Sequence, residues 1–162
     1  MTTVLTLNPG SSSLKASVRE PAVRLVVTVE RIGTGAGRLT VAGRSRPFAG
    51  GPGQAVAAVA AELGRHGMAV DAVAHRVVHG GPAHRRPAVI DDALLADLRA
   101  AVPLAPLHLP GALDAIERAR RAWPAAVQLA CFDTAFHAGW PAAAGRLPVA
   151  AELAAAGVRR YG

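Results

Sequence analysis

Four short apolar runs, at residues 4–7, 14–18, 23–29 and 39–41, are separated by turn-forming segments, and this spacing confines the start of the chain to a β meander. In the second run only Leu14, Ala16 and Val18 are apolar, the alternation of a strand with one buried face. The turns fall at residues 8–13, at Glu20-Pro21 and at the glycine-bearing segment 33–37. The period then changes. After the glycine-rich loop 50–53, residues 55–63 carry strong helix formers, with Val56, Val59, Ala60 and Leu63 at helical spacing. The compact apolar run 72–78 after Asp71 predicts a buried strand.

Asp91 and Asp92 ahead of Leu94, Leu95 and Leu98 predict an N-cap and a helix that Pro103 ends. Residues 106–110 form a loop. Leu113, Ile116 and Ala119 set the stripe of the next helix, which stops before Trp123-Pro124, and 127–132 is a second buried strand in which the single cysteine, Cys131, is expected to be a buried small hydrophobe. Pro148 opens a last helix over 149–156, closed by Gly157. A meander followed by alternating helices and strands gives an α/β fold with a layered sheet of mixed direction.

The first turn concentrates chemistry. Asn8-Pro9-Gly10-Ser11-Ser12-Ser13-Leu14-Lys15 offers a glycine for close backbone approach, three hydroxyls, an amide and the only lysine of the chain, the other 17 of its 18 basic residues being arginine. A compact ammonium suits a point-charge contact to phosphate. The same residues also make ordinary turns, and neither standard nucleotide fingerprint is present: there is no G-x-x-x-x-G-K-[ST], and Arg38 stands where the 33–37 segment needs its last glycine.

Composition narrows the classes. A chain of 162 residues, about half apolar, supports a real core, and its longest apolar stretches fall short of the roughly 18 residues that span a bilayer. The N-terminus begins a strand rather than a leader, so the expected compartment is the cytoplasm, with no membrane partner. A net charge of +7 is compatible with nucleic acid, yet the arginines are scattered along the sequence and little aromatic surface is interleaved among them, which argues against that partner.

Three further segments carry reactive groups. In His75-Arg76-Val77-Val78-His79-Gly80-Gly81 alternation puts Arg76 and Val78 on one face and His75, Val77 and His79 on the other; a cation beside a small apolar wall suits a short-chain carboxylate, although an arginine at a strand end can simply be solvated. His75, His79 and His84 match no standard zinc spacing. Pro106-Leu107-His108-Leu109-Pro110 presents an imidazole between prolines, in either a structural or a functional role. In Phe132-Asp133-Thr134-Ala135-Phe136-His137, Asp133 follows directly on a strand, where open α/β sheets gather ligand groups; a carboxylate there serves phosphoryl transfer or caps a helix.

Taken together and in order, the segments at 8–15, 75–81, 103–108 and 132–137 and the terminal Gly157-Val158-Arg159-Arg160-Tyr161-Gly162 resemble the acetate kinase family over nearly the whole chain. The resemblance implies a ribonuclease-H-like (actin-like, sugar-kinase-like) fold and reversible transfer of the γ-phosphoryl group of ATP to acetate, giving ADP and acetyl phosphate. It implies Mg²⁺ near Asn8, ATP phosphates at Lys15, Ser11 and Ser13, substrate at Arg76, acetate methyl walls at Val78 and Leu107, a phosphoryl contact at His108, and an active-site carboxylate at Asp133. It further implies a homodimer at full length, with a first domain over 1–136 and the opening of a second over 137–162. Propionate or another short-chain acid is an alternative acceptor, and a non-catalytic phosphate- or carboxylate-binding remnant is the alternative class.

Two departures stand out. Leu109 occupies the place where the family usually has asparagine, and the sequence stops at Gly162, ahead of the family's Phe-His-Gly segment. Phosphoryl transfer needs preorganised charge around the moving group, so the expectation is little or no kinase activity from these 162 residues alone.

Overall fold

Alternation builds the meander as expected: β1 (Val4–Pro9), β2 (Ser13–Glu20), β3 (Ala22–Glu30) and β4 (Gly37–Val41) pair antiparallel in succession, and β5 (Arg44–Phe48) adds an edge strand that its Arg-Ser-Arg-Pro sequence gives no sign of. The chain then winds through α1 (Pro52–Arg65), β6 (Ala72–Val77), the two-residue β7 (Ala88–Val89), α2 (Asp92–Ala100), α3 (Leu109–Ala122) and β8 (Val127–Phe132). Short helices α4 (Asp133–Phe136), α5 (Ala142–Gly145) and α6 (Ala151–Ala155) follow. This computed structural model describes residues 1–136, 138–156, 158, 160 and 161. The expected closure of the last helix by Gly157, the histidine of the 132–137 motif and part of the terminal segment, Arg159 and Gly162, lie outside the described residues.

The strands form one sheet in the order β5-β4-β3-β2-β1-β6-β8-β7. β6 runs parallel to both β1 and β8, so the C-terminal ends of these three central strands lie on one edge. Local signals set the helices that pack beside them. Gly51 N–H donates to Gln54 Oε1 at 2.8 Å ahead of α1, and Asp91 caps α2 by accepting from Leu94 N at 2.7 Å. α3 takes in the last two residues of the expected proline-bracketed loop, Leu109 and Pro110, with Pro110 in its first turn, where a missing N–H costs nothing.

The core lies on one side of the sheet. Leu5, Leu7, Leu14, Val18, Val27 and Val29 meet Val56, Val59 and Leu63 of α1, while Val77, Ala130 and Phe132 meet Leu94, Leu98, Leu113 and Ile116 of α2 and α3. The opposite face is open: Val26 and Val127 are about half exposed, and Thr6 Oγ1 lies 2.7 Å from Ser17 Oγ across the ladder. That one-sided cover corrects two expectations. The run 127–132 is buried on alternate residues only, and Cys131, expected in the interior, is exposed because it points to the open face.

Candidate active site

Asn8 sits next to the end of β1, Arg76 next to the end of β6, and Asp133 immediately after β8. Strand alternation turns Asn8 and Arg76 away from the core that holds Leu7 and His75, onto the open face. There the three side chains meet. Arg76 Nε donates to both carboxylate oxygens of Asp133 at 3.0 and 3.1 Å, Nη2 donates to Oδ2 at 2.7 Å, and Nη1 donates to Asn8 Oδ1 at 3.1 Å. The Asp133 carboxylate raises the pKa of the Arg76 guanidinium further above its ordinary value. Both side chains remain accessible, at 48% and 40% of their surface, so an incoming anion can reach the guanidinium. Val78, half-buried, lies two residues beyond Arg76, and Lys15, exposed, stands opposite Asn8 in the β1–β2 ladder and hence on its face.

A second group of expected site residues gathers on the other side of the same hairpin. Ser11 and Ser13, with Pro9 and Gly10, line a cavity of about 110 Å³ that is completed by Leu107, His108 and the first turns of α1 and α3. The turn is closed by Gly10 N–H donating to Ser13 O at 2.7 Å. Two helix N-termini at one cavity favour an anion there. The carboxylate in the lining, Asp114, is held by Arg118, whose Nε donates to both of its oxygens. Leu107 is 85% exposed beside the cavity mouth, and Leu109, at the family's asparagine position, is fully buried in the core.

The expected residues therefore fall into two adjoining clusters rather than one cavity. Neither Arg76 nor Asp133 lines the serine-turn cavity; the β1–β2 turn joins the two, with Asn8 in one cluster and Pro9 and Gly10 in the other. Two contributors escaped the sequence reading. Thr134 Oγ1 accepts from Gly80 N at 3.2 Å and so ties the start of α4, with Asp133, to the turn after β6; its only sequence signal was its place inside the 132–137 motif. Asp114 gave no signal beyond a helical charge pair with Arg118.

The histidines divide by burial. His75 faces the core, with Nε2 2.8 Å from Gln128 Oε1; the Gln128 amide nitrogen lies 3.3 and 3.2 Å from the carbonyls of Trp123 and Ala126, so Oε1 is the acceptor and Nε2 carries the proton. Its Nδ1 has no hydrogen-bond partner, and burial lowers its pKa below the ordinary imidazole value. His75 is thus a neutral core residue rather than a ligand. Among the described residues no group of three or more His, Cys, Asp or Glu side chains could hold a metal ion, and no helix is long and apolar enough to cross a membrane.

A mixed sheet with ligand-competent groups at the C-terminal ends of its parallel strands defines the ribonuclease-H-like, actin-like class of α/β domains. Comparison with known proteins narrows this. The Acetokinase family profile matches residues 3–162. An acetate kinase of Deinococcus radiodurans is 46% identical over 169 residues, covering 98% of this chain and 42% of that protein. Among solved structures, a propionate kinase from Francisella tularensis superposes with a TM-score of 0.89 at 28% identity, and an acetate kinase of Porphyromonas gingivalis with 0.83 at 30%, each covering 100% of this chain and 45% of the other. The chain belongs to the acetokinase family and spans less than half the length of the relatives it matches.

Proposed function

We propose that these 162 residues supply the carboxylate- and phosphate-handling part of an ATP-dependent short-chain carboxylate kinase, forming acetyl phosphate and ADP from acetate and ATP. The observation that carries this reading is the bonded set Asn8, Arg76 and Asp133 at the ends of three parallel strands. In it, the guanidinium of Arg76 holds the substrate carboxylate by a two-point contact, exchanging part of its bond to Asp133 for one to the acceptor. Val78 and Leu107 wall the methyl group. His108, Ser11, Ser13 and Lys15 hold the phosphoryl side, with His108 donating from its imidazole to a phosphoryl oxygen.

The donor set also fits a magnesium nucleotide. Mg²⁺ takes few protein ligands, one or two hard oxygens completed by water and substrate phosphates, and Asp133 and Asn8 present such oxygens at an accessible edge. When bound, the ion neutralises charge developing on the transferred group. The residues themselves orient: Asp133 fixes the guanidinium plane, and Asn8 fixes its far end.

Acetate and propionate differ by one methylene, worth about 1–3 kcal/mol in an apolar pocket, and both belong to the proposed substrate class. Residues 1–136 constitute the first domain in this reading and 137–162 the opening of the second, in a cytoplasmic enzyme that is homodimeric at the length of its relatives. The test is hydroxamate formation from acetate, ATP and Mg²⁺ in a polypeptide of that length carrying these residues. Arg76→Ala and Asp133→Asn are each expected to lower the rate by about a hundredfold or more. Rates within twofold of the parent would remove both assignments.

A further inference from the structure

The edge of the sheet remote from Asp133 carries a concentration of positive charge that the phosphotransfer reading does not use. Arg44 and Arg46 alternate on β5 opposite Val41 and Leu39, so they point to the face covered by α1, whose last turn brings Arg65 and the capping His66. These residues line an open groove of about 830 Å³. Among the described residues its only acidic lining residue is Glu62, and Glu62 is spent: Oε1 accepts from Nη2 of both Arg46 and Arg65, Oε2 accepts from Arg65 Nε at 3.1 Å, and the side chain is 7% exposed. The remaining N–H groups of these two guanidiniums have no acceptor among the described hydrogen bonds, although their side chains are 54% and 55% exposed.

We propose that this groove binds a compact phosphate-type polyanion, a free di- or triphosphate, through Arg44, Arg46 and Arg65. Three guanidiniums face one carboxylate, and the negative end of α1 offsets roughly another half charge, which leaves about one and a half positive charges unneutralised. Glu62 acts as the pin that holds two planar forks side by side, the geometry that matches phosphate oxygens in pairs. His66 closes the groove, with Nδ1 2.9 Å from the Glu62 carbonyl oxygen. Among the described residues no aromatic side chain lines the groove to stack bases, which favours a small polyanion over a nucleic-acid strand. Five strands separate β5 from β8, so the groove is independent of the Arg76 cluster.

The experiment is an amide-resolved NMR titration of the 162-residue chain with tripolyphosphate. Saturable shifts are expected at residues 42–46 and 65–66, weakening steeply between about 0.05 M and about 0.2 M salt. Arg44→Gln, on an exposed edge strand, is expected to weaken binding at those residues about tenfold while the rest of the spectrum stays unchanged, and Arg76→Gln is expected to leave them as in the parent. Shifts confined to residues 8–15, an unaltered response in Arg44→Gln, or tighter binding of a single-stranded oligonucleotide than of tripolyphosphate would each overturn the proposal. Because the readout separates residues 42–46 from residues 8–15, failure here leaves the kinase reading standing.

Discussion

Glu62 is held by two arginines, Arg46 and Arg65, and replacing it with glutamine tests the electrostatics that tie β5 to α1. Hydrogen bonds from Arg65 and then Arg46 lower its pKa from 4.5 to about 2 against an opposing burial effect. A tenfold change in proton affinity corresponds to about 1.4 kcal/mol, so the ionised form contributes at most about 3 kcal/mol. The two arginines are more than half exposed and solvent screens them, which brings the expectation to about 1–2 kcal/mol. Because the folded-state pKa is the lower one, this stability is present above pH 4.5 and is lost as the pH falls towards 2. Glu62→Gln keeps the shape and one acceptor while removing the charge. Urea unfolding is expected to show the variant about 1–2 kcal/mol less stable at pH 7, a loss of roughly 2–8 °C in Tm. The gap to the parent should narrow progressively as the pH falls from 4.5 towards 2. Equal stability at pH 7, or a gap that stays constant through the acid range, would refute the reasoning.

Two other substitutions probe the core and the turn beside the candidate site. His75 is held neutral by burial, so the unfolded chain takes up its proton first: stability should fall as the pH drops below about 6.5, by up to about 1.4 kcal/mol per pH unit, and His75→Gln should flatten that slope; an imidazole titrating at the ordinary midpoint in NMR would contradict this. At Gly80 a Cβ would lie 2.7 Å from the His84 carbonyl oxygen and 2.8 Å from the Phe132 ring, so Gly80→Ala must shift the backbone that donates to Thr134 and should cost about 1–3 kcal/mol in thermal unfolding, whereas an unchanged Tm would show that the turn yields freely.

Most of the fold was legible because one-sided burial writes itself as alternation. Leu14, Ala16 and Val18, or Leu25, Val27 and Val29, identify both the strand and its inner face. β5 escaped because an edge strand of Arg-Ser-Arg-Pro buries little and pairs on one side only, and β7 because two residues hold no period. Cys131 was misplaced for the opposite reason: the run 127–132 is apolar at every position but Gln128, which suggests cover on both faces, but the helices pack on one. At the site, the strand-end positions of Arg76 and Asp133 followed from the sequence, while their direct contact could not, since residues 57 apart meet only through the parallel β6–β8 register. The split of the serine turn from the Arg76 cluster has the same origin. Adjacent residues of a strand point to opposite faces, so Asn8 and Pro9 part company at the hairpin. The arginine groove was hidden likewise, because sequence scatter says nothing of residues that strand pairing and a helix end bring together.

The central claim is that Asn8, Arg76 and Asp133 act as one ligand-holding unit, and the Nε–H resonance of Arg76 reports on it directly. In the 162-residue chain this proton, shared between both Asp133 oxygens, should exchange slowly with water, exchange faster in Asp133→Asn, and shift saturably when acetyl phosphate is added. A resonance indifferent to both the Asp133 substitution and acetyl phosphate would contradict the account.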